Sequence, residues 1–213
     1  MATQAELIHA LLERHGTSYA ERAGIRLADK PSPLYRLLVL SLLLSARISG
    51  DIAVNAATEL SRAGYRTPKA MAAASWQQRV DALGRGHYRR YDERTSTMLG
   101  DGAELLIEEY GGDLRRLHDR ASGREDVEEL LQQFPGIGPS GAAIFCREAQ
   151  AVWPDLAPYV DQKAADGARA VGLPSSPQRL SSLVDRRDLP RLLAACVDVS
   201  RSRHAAGEVR DTA

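Results

Sequence analysis

Leu130–Ala149, LLQQFPGIGPSGAAIFCREA, reads as the end of one helix, a tight turn and the start of another. Upstream, Glu125 to Phe134 sets Val127, Leu130, Leu131 and Phe134 at the spacing of one helix face. Pro135-Gly136 stops that helix, because proline cannot continue it and glycine accepts φ > 0. Gly138 closes the turn, and Pro139 suits the first turn of a helix running to about Ala149. Both glycines lack Cβ, so an anion can approach the backbone closely and meet the N–H groups at the second helix's N-terminus. Ile137 is expected to point inward and pin the two helices. An ordinary helix–turn–helix corner with a glycine cap would use the same residues.

The apolar-Pro-Gly-apolar-Gly pattern is that of the helix-hairpin-helix motif, which holds nucleic-acid backbone without reading sequence. Beyond it come Trp153-Pro154 and then Tyr159-Val160-Asp161, about twenty residues past the hairpin. A hairpin followed at this interval by Trp-Pro and Val-Asp resembles the endonuclease III superfamily of DNA glycosylases. The resemblance covers roughly residues 30 to 180 and is densest at the hairpin and Asp161.

Working outward, Leu34 to Ala46 is almost wholly apolar, and a helix apolar on every side is buried on every side. It is too short to span a bilayer, so it is the expected core helix. The segment Leu43-Leu44-Ser45-Ala46-Arg47 after it resembles the family's cleft-lining turn, with Arg47 where the family has a glutamine that fills the gap left by a flipped base. A solvated arginine at a helix end is the alternative. Further on, Leu83-Gly84-Arg85-Gly86-His87-Tyr88-Arg89-Arg90-Tyr91 interleaves arginines with rings, a composition that suits DNA. That composition suits Arg89 and Arg90 to phosphates, and by resemblance His87 takes the place of the wedge residue and Tyr88 that of the following tyrosine. A solvated loop with Tyr88 and Tyr91 packed on its base is the alternative.

Release of a base builds oxocarbenium character on the sugar, so the chemistry needs a carboxylate near C1′ and a nucleophile. The resemblance makes Asp161 that carboxylate, although the residue also suits the N-cap of a helix over 162–172. The family's lysine, which forms a Schiff base, lies two residues after the second hairpin glycine. Here that position is Ser140. The adenine-specific branch also carries serine there, but its helical glutamate aligns with Ser41. Lys163, two residues after Asp161, is a possible displaced amine or a plain phosphate or solvent contact. These matches imply a monofunctional glycosylase for a damaged or mismatched base in duplex DNA. A bifunctional glycosylase/lyase using Lys163, a degenerate protein that only senses distorted duplex, and a helical protein-interaction domain stand as alternatives. Duplex contacts are expected at Gly136, Ile137, Gly138, Ser140 and Gly141. The resemblance also implies a monovalent cation on hairpin carbonyls, assigned to Phe134 and Ile137. The family's four cluster-binding cysteines are missing, so no iron–sulfur cluster is expected.

The 213 residues are 44% hydrophobic and 5% aromatic, with 28 basic and 28 acidic side chains. A zero net charge means that any DNA-binding surface must be a local basic patch. Cys146 and Cys196 have no metal-ligand spacing and suit buried thiols. Residues 1–12 lack the apolar core of a signal peptide, and no apolar run reaches membrane-spanning length, so a cytoplasmic, nucleoid-associated monomer is expected. The expected fold is all-α and two-lobed, with a DNA cleft between lobes. Residues 34–154 form a helical barrel with the hairpin, and 1–33 pack with 155–213. Residues 17–28 are expected as a short helix, Lys30–Pro33 as a breaker, and the tail from Ala205 as frayed.

Overall fold

The computed structural model describes residues 2–212, among which every regular element is helical. In chain order these are α1 (Gln4–His15), α2 (Tyr19–Arg22), α3 (Pro31–Ser45), α4 (Gly50–Arg62), α5 (Pro68–Ala73), α6 (Trp76–Arg85) and α7 (Asp92–Tyr110). They continue with α8 (Leu114–Arg120), α9 (Arg124–Leu131), α10 (Pro139–Ala149), a 3₁₀ turn at Pro154–Leu156, α11 (Gln162–Ala170), α12 (Pro177–Ser181), α13 (Leu189–Ser200) and α14 (Arg203–Thr212). None of the described helices is long and apolar enough to cross a membrane.

Packing divides the chain into Ala20–Asp155 and a second unit of Met1–Tyr19 with Leu156–Ala213. Residues 20–33 therefore pack with the larger unit, not the smaller one as expected from the Lys30–Pro33 cluster. The prolines there do not break a helix but begin one: Pro31 stands in the first turn of α3, where a missing N–H costs nothing. The helix expected over 17–28 shrinks to the single turn of α2, closed by Gly24 at φ 65°.

In the larger unit α3 is the axis. Leu34, Leu37, Leu40 and Leu43 are fully buried, and α4, α8 and α10 pack around the helix. Local chemistry sets the surrounding boundaries. Ser49 caps α4, Thr67 caps α5, and Ser75 with Gln78 forms a reciprocal capping box on α6. Arg79 on α6 is buried, and its guanidinium donates to the carbonyls of Met71, Ala74 and Ser96 at 3.1, 2.7 and 2.9 Å. One cation thereby ties the C-terminus of α5 to α7, each such charge-assisted bond being worth about 1.5–3 kcal/mol.

In the smaller unit α1 presents Leu7, Ile8 and Leu11 to the interior, and α13 packs against both α1 and α11. A methyl on Gly167 would lie 1.8 Å from the Cys196 carbonyl oxygen, so α11 meets α13 backbone to backbone and only glycine fits. The Tyr19 hydroxyl donates to Asp198 at 2.6 Å. The C-terminus departs from expectation. Residues 203–212 are helical, because Ala206 and Val209 are buried and hold α14 down. Both thiols are free and buried, and burial pushes Cys196 up to about 12 and Cys146 higher still.

Candidate functional site

The hairpin joins α9 to α10 through Gln132–Gly138. Phe134 is buried and stacks on Tyr110 with centroids 6.2 Å apart, which fixes the end of α9 against α7. The Ile137 N–H donates to the Phe134 carbonyl at 3.0 Å, and the Ile137 side chain is only 4% exposed. Gly136 has φ +83°, the left-handed conformation that the turn demands. Its missing Cβ faces inward: a methyl there would lie 2.6 Å from Met98 Sδ and 3.2 Å from Leu42 Cδ1. Gly136 is thus needed for packing on its inner side, while the residue itself is exposed. Gly141 is buried, and a methyl on it would make only ordinary contacts, with Ile137 at 3.4 Å and Ser45 at 3.7 Å. Gly138 is exposed as well, and it alone of the three has nothing within 4 Å of an added methyl.

Gly138 is also the N-cap of α10, and no side chain caps that helix. The first backbone bond into the helix is donated by Ala142 to the Gly138 carbonyl at 3.0 Å. Earlier amides, that of exposed Ser140 among them, point out of the helix end with the positive pole of its dipole. Pro139 contributes no N–H.

At the C-terminus of α6 the chain leaves the helix through a 6→1 bond from Tyr88 N–H to Leu83 carbonyl and a 5→2 bond from His87 N–H to Gly84 carbonyl, both 3.0 Å. This closure normally places glycine at the left-handed position. Here it is His87, at φ +63°, with its side chain exposed. Tyr88 turns inward, 2% exposed, and accepts a hydrogen bond from Thr95 Oγ1 at 3.3 Å. Burial raises its pKa. Arg89 and Arg90 are exposed, and the Arg90 guanidinium lies over the Tyr91 ring at 5.2 Å. A left-handed L-residue costs about 1 kcal/mol, so His87→Gly is expected to raise stability by up to that amount. A higher urea midpoint would show it; a lower one would mean that the imidazole contributes packing of its own.

A cavity of about 290 Å³ in the larger unit brings several of these elements together. Leu42, Ser45 and Arg47 line it from the end of α3, Tyr88 and Tyr91 from the loop, Arg94, Thr95 and Met98 from α7, and Gly136 from the hairpin. Of the residues expected at a site, Arg47, Tyr88 and Gly136 meet here. Arg94, Thr95 and Met98 were missed, because on the sequence they are ordinary positions of a long helix. Ser41, at the place of the adenine branch's acid, is buried and donates to the Leu37 carbonyl at 2.9 Å.

Asp161 and Lys163 belong to the smaller unit. Asp161 is the N-cap of α11: its backbone is extended and its Oδ1 accepts the Ala164 N–H at 2.8 Å. It is half-buried, whereas Lys163 is exposed. Among the described residues no group of three or more His, Cys, Asp or Glu side chains is arranged to hold a metal ion.

No protein-family model matches the chain, and no curated protein sequence matches it. Solved structures do. A non-covalent Endonuclease III–DNA complex superposes with a TM-score of 0.51 at 14% identity, covering 92% of this chain and 85% of the other. A trapped Endonuclease III–DNA covalent intermediate, the estranged-adenine complex, gives 0.49 at 17% identity with the same coverage. The all-helical fold is therefore endonuclease III-like.

Proposed function

We propose that the chain is a DNA glycosylase that removes a damaged or mismatched base from duplex DNA. The observation that carries the reading is the uncapped N-terminus of α10 behind an exposed Gly138, set in an endonuclease III-like fold. Amides without intrahelical partners and the helix dipole together suit a phosphate. The exposed arginines Arg47, Arg89 and Arg90 supply the local positive surface that a neutral chain needs. In this reading the exposed, left-handed His87 enters the base stack, and a folding cost retained at one exposed side chain is what a wedge residue would impose. The carbonyls of Phe134 and Ile137 would hold a monovalent cation, which adds positive charge beside the phosphate. Two cysteines, each buried in its own helix, do not fit the four-thiolate ligand set of an iron–sulfur cluster, and no step depends on one.

The proposed reaction is monofunctional. The C1′–N bond breaks with its electrons leaving on the base, and the Asp161 carboxylate stabilises the cationic sugar. Water adds to C1′ and gives its proton to Asp161. Ser140 offers no amine, so a Schiff base forms only if Lys163 supplies it. A second reading, a non-catalytic sensor of distorted duplex, is favoured by the N-cap bond that already occupies Asp161 Oδ1.

One experiment separates these. Duplexes carrying abasic sites, uracil, oxidised pyrimidines, alkylpurines and mismatches are incubated with the protein, with and without later alkali and with borohydride trapping. The expected result is base release, strand breaks only after alkali, and no trapped adduct. An adduct lost in Lys163→Ala and kept in Ser140→Ala would establish the amine mechanism instead. Binding without base release on every lesion would establish the sensor.

A further inference from the structure

A second cavity, of about 580 Å³, opens in the larger unit where the starts of α3 and α5 meet the end of α7. Pro31 lines it from α3, Pro68 and Lys69 from α5, and Ile107, Gly111 and Gly112 from the end of α7. That helix closes on two successive left-handed residues, Gly111 at φ +60° and Gly112 at φ +80°, so this wall is bare backbone. A methyl on Gly112 would lie 3.6 Å from Pro68 Cγ, which sets the proline ring opposite it. Ile107 is 37% exposed, and among the described large hydrophobic side chains only Trp76 is more open. Pro31, Pro68 and Ile107 form an aliphatic floor, and no aromatic ring lines the cavity. The two lining hydroxyls are each in a local bond: Ser32 donates to the Arg66 carbonyl at 2.9 Å, and Thr67 accepts the Ala70 N–H at 3.2 Å.

The edge of this floor is positive. Lys69 is the only ionisable group in the lining. Lys30 immediately precedes Pro31, and a methyl on Gly111 would run into the Arg116 guanidinium, which therefore lies at the rim. All three side chains are exposed. Of the neighbouring carboxylates, Asp113 is held by Arg115 at 2.6 Å and Glu109 by Arg120 at 3.7 Å, and Glu108 does not line the cavity.

We propose that this cavity is a docking groove for an acidic, aliphatic peptide segment of a partner protein. An aliphatic side chain of the segment covers Pro31, Pro68 and Ile107, and its carboxylates meet Lys30, Lys69 and Arg116. The proposal is independent of the DNA-binding reading above. Because Pro31, Lys69 and Ile107 are exposed, a small molecule would stay largely in water, whereas small-molecule sites enclose most of their ligand. An extended segment keeps its backbone solvated and needs only a place for its side chains. A nucleic-acid strand would find cations here but no ring on which to stack a base.

The test pans the immobilised full chain with a phage-displayed library of random linear peptides, then titrates the enriched peptides, remade with a fluorophore, by anisotropy. Peptides that combine Asp or Glu with Leu, Ile or Val are expected to enrich. Ile107→Asp sets a carboxylate on the floor and should weaken them at least about tenfold. Lys69→Glu should weaken them about fivefold, with the difference shrinking at high salt. Both positions are exposed, so the melting temperature should hold, and Lys69→Glu carries the test should Ile107→Asp fail to fold. No enrichment over the bare support, enrichment of basic or aromatic peptides, or peptides that bind both variants as tightly as the parent chain would overturn the proposal. Displacement of the bound peptide by paired duplex DNA would overturn it too, by making the rim a nucleic-acid surface.

Discussion

Asp161→Asn is expected to abolish base release, by at least about 10²-fold, while duplex affinity stays within about twofold. An amide matches the carboxylate in shape and offers no negative charge to the sugar cation. The substitution is clean for a structural reason. The folded role of Asp161 is to accept the Ala164 N–H at the start of α11, and asparagine caps a helix about as well as aspartate. Fold and chemistry therefore respond differently to one atom exchange. Single-turnover base release, read beside the melting temperature, checks it. Undiminished release at unchanged stability would reduce Asp161 to a cap and remove the carboxylate from the mechanism.

The two hairpin glycines should part company under substitution. Gly136→Ala forces a left-handed alanine and drives a methyl to 2.6 Å from Met98 Sδ, a combined cost of roughly 2–4 kcal/mol. In a chain of this size that is a fall of roughly 5–15 °C in melting temperature. Gly138 has φ −98° and open space, so Gly138→Ala stays within about 0.5 kcal/mol. Gly138→Asp is expected to keep the fold and, on the proposed function, to weaken binding of every duplex by about tenfold, because it sets a carboxylate at the helix end that the proposal assigns to a phosphate. Retained affinity at low salt for Gly138→Asp would sink the hairpin assignment, and a fully stable Gly136→Ala would sink the packing account.

Much of the fold is legible in the residues alone. A run from Leu34 to Leu44 with hardly a polar side chain has to be a buried helix, and Pro-Gly-Ile-Gly has to be a turn between helices. Both readings depend only on periodicity and on which residues accept which backbone angles. These properties belong to neighbours in the chain. The same local logic recognised Asp161 as the start of a helix and the 83–91 segment as basic and aromatic.

What the sequence left open are contacts between residues far apart in it. The helical pattern of α7 says that Met98 faces inward, but not that Gly136 waits there with no room for a methyl. Nothing in the local pattern singles out Arg79, and only the carbonyls of Met71, Ala74 and Ser96 make it a buried strut. Pro31 reads as a breaker until the residues after it pack and turn it into a first helical position. Arg94 reads as one more surface cation until folding sets it around the same cavity as Arg47. The physical reason is common to all four. Helix and turn preferences are decided within a few residues by backbone sterics, whereas the partner of a side chain is decided by how whole helices pack, and a single chain's pattern carries only the face that packs and not what it meets.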